Sequence, residues 1–246
     1  MTKHAATSWT RPRNVSCLTC KVKEGTEWCV LEGKQLALLD QAKIAKTYRE
    51  GESIYRQGDP CMGIFCVESG NISVRMVNAQ GGSKIVRFVH AGQTLGYADF
   101  FAGRGYRGDA VCLETTTVCF IPTEPLNIAL HHNPQLGLAF LNHSAVDMQE
   151  ADSLSMNQAL YPVRTQVAHL LLNLKDSYGT VADDGAIELA LPMTWQDVSE
   201  LLGARPETVS RAVHVLMDNG VIDGAGRKIV IRDLDTLLDE IDGTAS

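Results

Sequence analysis

The sequence predicts an α+β chain in which an antiparallel β-roll is followed by one long helix and then by a helix-turn-helix with a β-hairpin wing. Three observations predict it. Between Lys43 and Pro122, short apolar runs alternate with glycine-centred turns, the grammar of an antiparallel barrel or sandwich. From Pro134 to Ala159 only Gly137 interrupts a stretch that a helix can occupy. Beyond Thr194, two short amphipathic segments meet at a glycine and a proline. The boundaries that follow are a disordered lead over 1–16, a cysteine loop over 17–32, the β-roll over 33–132, the long helix over 133–160 and the winged unit over 161–246. At 246 residues, 45% hydrophobic and 21% charged, the chain can hold two domains with cores of their own.

The lead carries Lys3, Arg11 and Arg13 but no apolar stretch, so it is not read as a secretory signal. No run approaches the roughly 18 apolar residues of a membrane helix. Seven cysteines, an odd number, suit a reducing cytoplasm better than a disulfide scaffold. Three of them, Cys17, Cys20 and Cys29, crowd the loop, and in that compartment such a cluster points to metal ligation or redox chemistry. Lys34 to Gln41 reads as a short helix with Leu36, Leu38 and Leu39 on its apolar side. Ile64–Val67, Ile72–Val77 and Ile85–Val89 read as strands, with turns at Gln57–Pro60, Ser69–Asn71, Asn78–Gly82 and Ala91–Gly92. Thr123-Glu124-Pro125 opens a helix.

The long helix, about 25 residues or some 37 Å at about 1.5 Å per residue, carries Leu141, Ala145, Met148, Asp152 and Ser155 at four- and three-residue steps. A connector this long outruns the roll it leaves, so the seam is read as self-pairing. Asp152 within it, with Asp147 and Glu150 close by, would set like charges across a two-fold axis, giving a poised homodimer rather than a strong one. Pro162 ends the helix, and Val163, Val167, Leu170, Leu171 and Leu174 begin the next at clean helical spacing.

Thr194 with Asp197 three residues on is an N-cap signature, and Val198, Leu201 and Leu202 form the inner face of a short helix that Gly203 ends. Pro206 suits the first position of the second helix. There Val209, Ala212, Val213 and Leu216 face a core, while Glu207, Ser210, Arg211 and His214 face out, with Arg205 and Thr208 beside them. An arginine can grip guanine O6 and N7 together, a glutamate can accept from cytosine N4, and a serine is adaptable. Arg227 and Lys228 lie in the wing where phosphates could be met. Double-stranded DNA is the partner this set suits. The net charge of −7 opposes that, and residues 160–246 hold seven Lys and Arg against fourteen Asp and Glu, so binding must rest on a local patch.

Taken together, these features resemble the CRP/FNR superfamily of bacterial transcription regulators, from about Lys34 onward. The string Glu207-Thr208-Val209-Ser210-Arg211 is similar to the E-x-x-S-R signature of the FNR branch. The resemblance implies a cyclic-nucleotide-binding-like jelly roll, a homodimer reading palindromic half-sites of the TTGAT kind, and RNA polymerase as protein partner, whether the regulator activates or represses. It also argues against cyclic-nucleotide binding. Tyr97 follows Gly96 where the ribose-binding glutamate of those relatives is expected, and Gly108 and Asp109 follow Arg107 where a serine should help hold phosphate.

FNR-type sensors hold a [4Fe–4S] cluster with three N-terminal cysteines and one from the barrel. By that resemblance Cys17, Cys20, Cys29 and Cys119 are the ligands, and the signal is oxygen, nitric oxide or redox poise. Cys112 is the rival fourth ligand. Two cysteines seven apart tend toward opposite faces of a continuous strand, an argument that a turn at Glu114 to Thr116 would void. Thiolates alone do not separate iron from zinc, so a structural zinc knot, heme or free thiols on the same scaffold stay open. Cys61 and Cys66 read as small apolar residues; His4, His131 and His132 read as solvent residues. An enzyme using the cysteines for electron transfer is the reading from another class, but there is no nucleotide fingerprint, second cluster motif or nucleophile–base set to support it.

Overall fold

Glycine-punctuated runs of β-branched and apolar residues form the first half of the chain. A computed structural model describes residues 16–242, and the lead, with His4, lies outside them apart from Ser16. Two compact units divide the chain, one essentially 1–148 and the other essentially 149–246.

In the first unit the cysteine loop makes two 3-10 turns, Lys23–Gly25 and Glu27–Val30, before α1 (Gly33–Ala42). Eight strands follow: β1 (Ile44–Tyr48), β2 (Ser53–Tyr55), β3 (Gly63–Ser69), β4 (Asn71–Val77), β5 (Ser83–His90), β6 (Thr94–Leu95), β7 (Asp109–Cys112) and β8 (Thr116–Pro122), with α2 (Tyr97–Phe101) between β6 and β7. They form two sheets, ordered β1-β8-β3-β6 and β2-β7-β4-β5. The predicted strands and turns are all present. Leu38 departs from expectation: Leu36 and Leu39 are buried, but Leu38 is 61% exposed. A ten-residue helix lying on a sheet buries only a narrow stripe, and the residue between the two anchors turns outward.

Two aromatic-rich cores fill the roll. Tyr48, Tyr55, Phe65, Tyr106 and Cys112 belong to one. The other joins Trp28 and Leu31 of the cysteine loop to Leu36 and Leu39 of α1, Ile64, Ile121, and Leu136 and Phe140 further on. The edge of one Trp28 or Phe140 ring meets the face of the other at 5.4 Å between centroids, a geometry that adds about 1 kcal/mol to area burial.

α3 (Thr123–His132) leads into α4 (Pro134–Leu160), the predicted long helix. In the second unit, α5 (Val163–Tyr178) is followed by β9 (Gly179–Val181), β10 (Ile187–Ala190), α6 (Trp195–Leu202), α7 (Pro206–Asp218), β11 (Ile222–Ala225), β12 (Lys228–Ile231) and α8 (Leu234–Asp242). The capping box is complete: the Asp197 N–H donates to Thr194 Oγ1, and Asp197 accepts from the Thr194 N–H. Gly203 ends α6 at φ 65°, a left-handed conformation that glycine alone adopts freely. Among the described residues no helix is long and apolar enough to cross a membrane.

Candidate metal centre and nucleic-acid interface

Asp40, on the last turn of α1, anchors the start of the cysteine loop. It accepts from the Cys17 N–H at 2.5 Å and from Ser16 Oγ at 3.1 Å, and it pairs closely with Lys43. Burial would raise the Asp40 carboxyl, but Lys43, the Cys17 N–H and Ser16 outweigh it and hold it below its ordinary value. Lys43 itself is buried. Burial works against its charge, yet Asp40, Cys17 and Cys119 together keep it above the ordinary value.

Cys119 sits in β8 between Ala45 of β1 and Cys66 of β3. Burial pushes its thiol up to about 12; Lys43 opposes that, and charge on Cys17 or Cys20 adds to it. Burial likewise raises Cys17. Cys17, Cys20 and Cys119 therefore share one neighbourhood, with a buried ammonium beside two of them. That is the setting in which thiolates, otherwise disfavoured here, would be tolerated. Among the described residues no three Cys, His, Asp or Glu side chains are closed into a ready metal site. The donor type and the compensating cation suit an anionic thiolate-bound group.

Cys29 is exposed, on the second 3-10 turn. Its neighbours are fixed. Trp28 Nε1 donates to Thr94 Oγ1 at 3.3 Å, and Thr94 Oγ1 donates to Glu27 Oε2 at 3.0 Å. The other oxygen of buried Glu27 pairs closely with His143 Nδ1 on α4. His143 Nε2 lies 3.3 Å from Asp147, which also pairs closely with Arg87 and accepts from the Tyr97 hydroxyl. Sequence reasoning missed this chain of side chains because its members lie up to 120 residues apart.

Asp147, expected only to lie close by the self-pairing seam, is engaged with Arg87, His143 and Tyr97. It faces the roll with Leu136, Phe140 and His143. The seam residues Leu141, Ala145, Met148 and Asp152 are all exposed, Leu141 at 64% and Met148 at 63%.

Cys112 lies in the other sheet and the other core, because a turn does separate β7 from β8. Burial raises it to about 11, with Glu52, Thr116 and Lys46 as its neighbours. Cys61 packs in that same core. Cys66, expected to be only a small apolar filler, is the direct cross-strand partner of Cys119. His131 and His132 are exposed. Arg107 Nε pairs with Asp99 Oδ1 at 2.9 Å, and Asp109 accepts from the Gln57 N–H at 2.6 Å.

In the second unit Val209, Ala212, Val213 and Leu216 are buried, while Arg205, Glu207, Ser210, Arg211 and His214 are exposed and Thr208 is half-buried. Arg211 Nε donates to the Glu207 carbonyl at 3.4 Å, and His214 Nδ1 meets the Ser210 carbonyl at 2.7 Å. Arg227 and Lys228 are exposed at the tip of the β11–β12 hairpin. The outward row and the basic tip occupy one small unit, as a groove reader with phosphate contacts requires.

The family model for the cyclic nucleotide-binding domain matches residues 45–133, and that for the Crp-like helix-turn-helix domain matches residues 165–240. The chain is 28% identical to Electron transport regulator A of Shewanella oneidensis, over 82% of this chain and 81% of the relative. It is 27% identical to the transcriptional activator protein FnrA of Stutzerimonas stutzeri, over 80% of each. Among solved structures it is similar in fold to FixK2 of Bradyrhizobium japonicum, with a TM-score of 0.72, 24% identity, and coverage of 80% of this chain and 96% of that one.

Proposed function

The chain belongs to the CRP/FNR superfamily of transcription regulators, and on that premise we propose that it is a homodimeric DNA-binding regulator governed by a [4Fe–4S] centre on Cys17, Cys20, Cys29 and Cys119. It is a regulator of the FNR type with a DNA-binding helix-turn-helix, in a family of regulators rather than enzymes. The observation that carries the sensing proposal is the buried Lys43 beside both Cys17 and Cys119, with Cys20 close enough to act on Cys119. When bound, the group supplies reactivity toward oxygen or nitric oxide, and so the signal.

The chain's own residues do the rest. Asp40 fixes the loop at Cys17, while Thr94 fixes it at Glu27 and Trp28. Glu27 on His143, and Trp28 on Phe140, tie the loop to the first half of α4. A seated loop thereby holds the face of α4 that carries Leu136, Phe140, His143 and Asp147, and the adjoining face presents Leu141, Ala145, Met148 and Asp152 to a second copy. Dimerisation sets two α7 helices against successive major grooves of a TTGAT-type palindrome. There Arg211 and Glu207 meet bases with Ser210, Thr208 and His214 beside them, and Arg205, Arg227 and Lys228 meet phosphates. The pairing of Arg107 with Asp99 supports an effector other than a cyclic nucleotide.

Protein purified without air decides the matter. Iron and acid-labile sulfide in equal amounts, with dimerisation and operator binding that fall on exposure to air, are expected. A Soret band would replace this with a heme sensor, zinc alone with a structural knot, and metal-free protein with a thiol regulator or one of another effector.

A further inference from the structure

Cys66 has no role in the reading above, yet its position is not that of an inert filler. It stands directly opposite Cys119 in the β3–β8 ladder. Directly opposed residues of antiparallel strands point to the same face, with Cβ atoms about 4.5–5.5 Å apart. Two thiols so placed can reach one centre. Cys66 also packs against the same apolar cluster as Cys17. Burial raises its thiol, and charge on Cys119, Cys17 or Cys20 raises it further, so Cys66 lies within the fields of those three. Its contact with Thr94 Oγ1, at 3.9 Å, is a weak one to give up.

Cys29 stands otherwise. It is exposed, on a turn whose flanking residues Glu27 and Trp28 are bonded to Thr94 and packed or paired onto α4. Cys29 is exposed on its turn, whereas Cys66 is already carried by the strand beside Cys119.

We propose that Cys66 is an alternative ligand of the cysteine centre, able to take the place of Cys29 beside Cys17, Cys20 and Cys119. This rests on the iron–sulfur reading above. The exchange would need no oxidant or reductant: Cys66 would bind as the thiolate, its proton passing to the Cys29 thiolate that it replaces. The spare thiol keeps a four-sulfur set available when the exposed one is lost.

The test is anaerobic reconstitution of wild type, Cys29→Ala, Cys66→Ala and the double variant, with iron and sulfide measured per chain. Cys29→Ala is expected to retain most of the wild-type iron, and the double variant to fall about tenfold or more. Cys29→Ala loading no better than the double variant would overturn the inference. A second measurement does not depend on the double variant folding. In iron-loaded Cys29→Ala, Cys66 should resist iodoacetamide and become alkylated once a chelator strips the iron, as read by mass mapping. Equal labelling of Cys66 in both samples would overturn it. Wild-type protein that takes up no iron would instead overturn the iron–sulfur reading itself, and this inference with it.

Discussion

Asp147 is held by side chains from three different elements: His143 of its own helix, Arg87 of β5 and Tyr97 of α2. Burial would raise its carboxyl, but those partners hold it below the ordinary 3.8. A carboxyl depressed in the folded state contributes stability that is fully present above its unfolded value and lost as pH falls through the folded one. Wild type should therefore be more stable to urea than Asp147→Asn by about 1–3 kcal/mol at neutral pH, and the gap should close below pH 3.8. A gap still open well below that pH would mean that ionised Asp147 is not what the partners stabilise. Helical spacing cannot name the residues across a packing interface. For that reason the clasp that Asp147 makes was not legible in the sequence.

α4 shows what one helix can carry on two faces. Leu136 and Phe140 are buried against the roll, and His143 and Asp147 continue that row. The adjoining row ends its apolar stretch at Asp152. If two copies meet along it, the paired Asp152 carboxylates oppose them by about 1 kcal/mol, or roughly five-fold in Kd. Asp152→Ala is expected to strengthen self-association in air by that factor in sedimentation equilibrium, and an unchanged Kd would remove Asp152 from the interface. Elements announced by caps were fully legible. Thr194, Asp197, Gly203 and Pro206 marked both ends of α6 and the start of α7 almost to the residue, because each satisfies a backbone need local to the helix end. The longer strands were legible too, but their partners were not. β8 lies between β1 and β3, and nothing near Cys119 in the sequence announces Cys66 as its neighbour.

Across the whole chain, acidic character and DNA binding must coexist. Of the seven Lys and Arg in 160–246, Arg205, Arg211, Arg227 and Lys228 are exposed at the start or on the outward face of α7 or at the hairpin tip. If about three per half-site meet phosphates, the logarithm of the binding constant should fall against log salt with a slope near −5. Lys228→Ala should flatten that slope by about two, one phosphate per half-site. A flat wild-type response would show that the groove is not engaged this way. Composition gave the net charge but not its distribution; only the sorting of α7 into two faces made the local patch visible beforehand. The same distance in sequence that hid the seat of the cysteine loop also orders its synthesis. Trp28 leaves the ribosome early, while Leu136 and Phe140, which complete its core, follow more than a hundred residues later. At about 5–20 residues per second, the cysteine loop waits on the order of ten seconds before the residues that complete its seat exist, so it can settle only once translation has reached the start of α4.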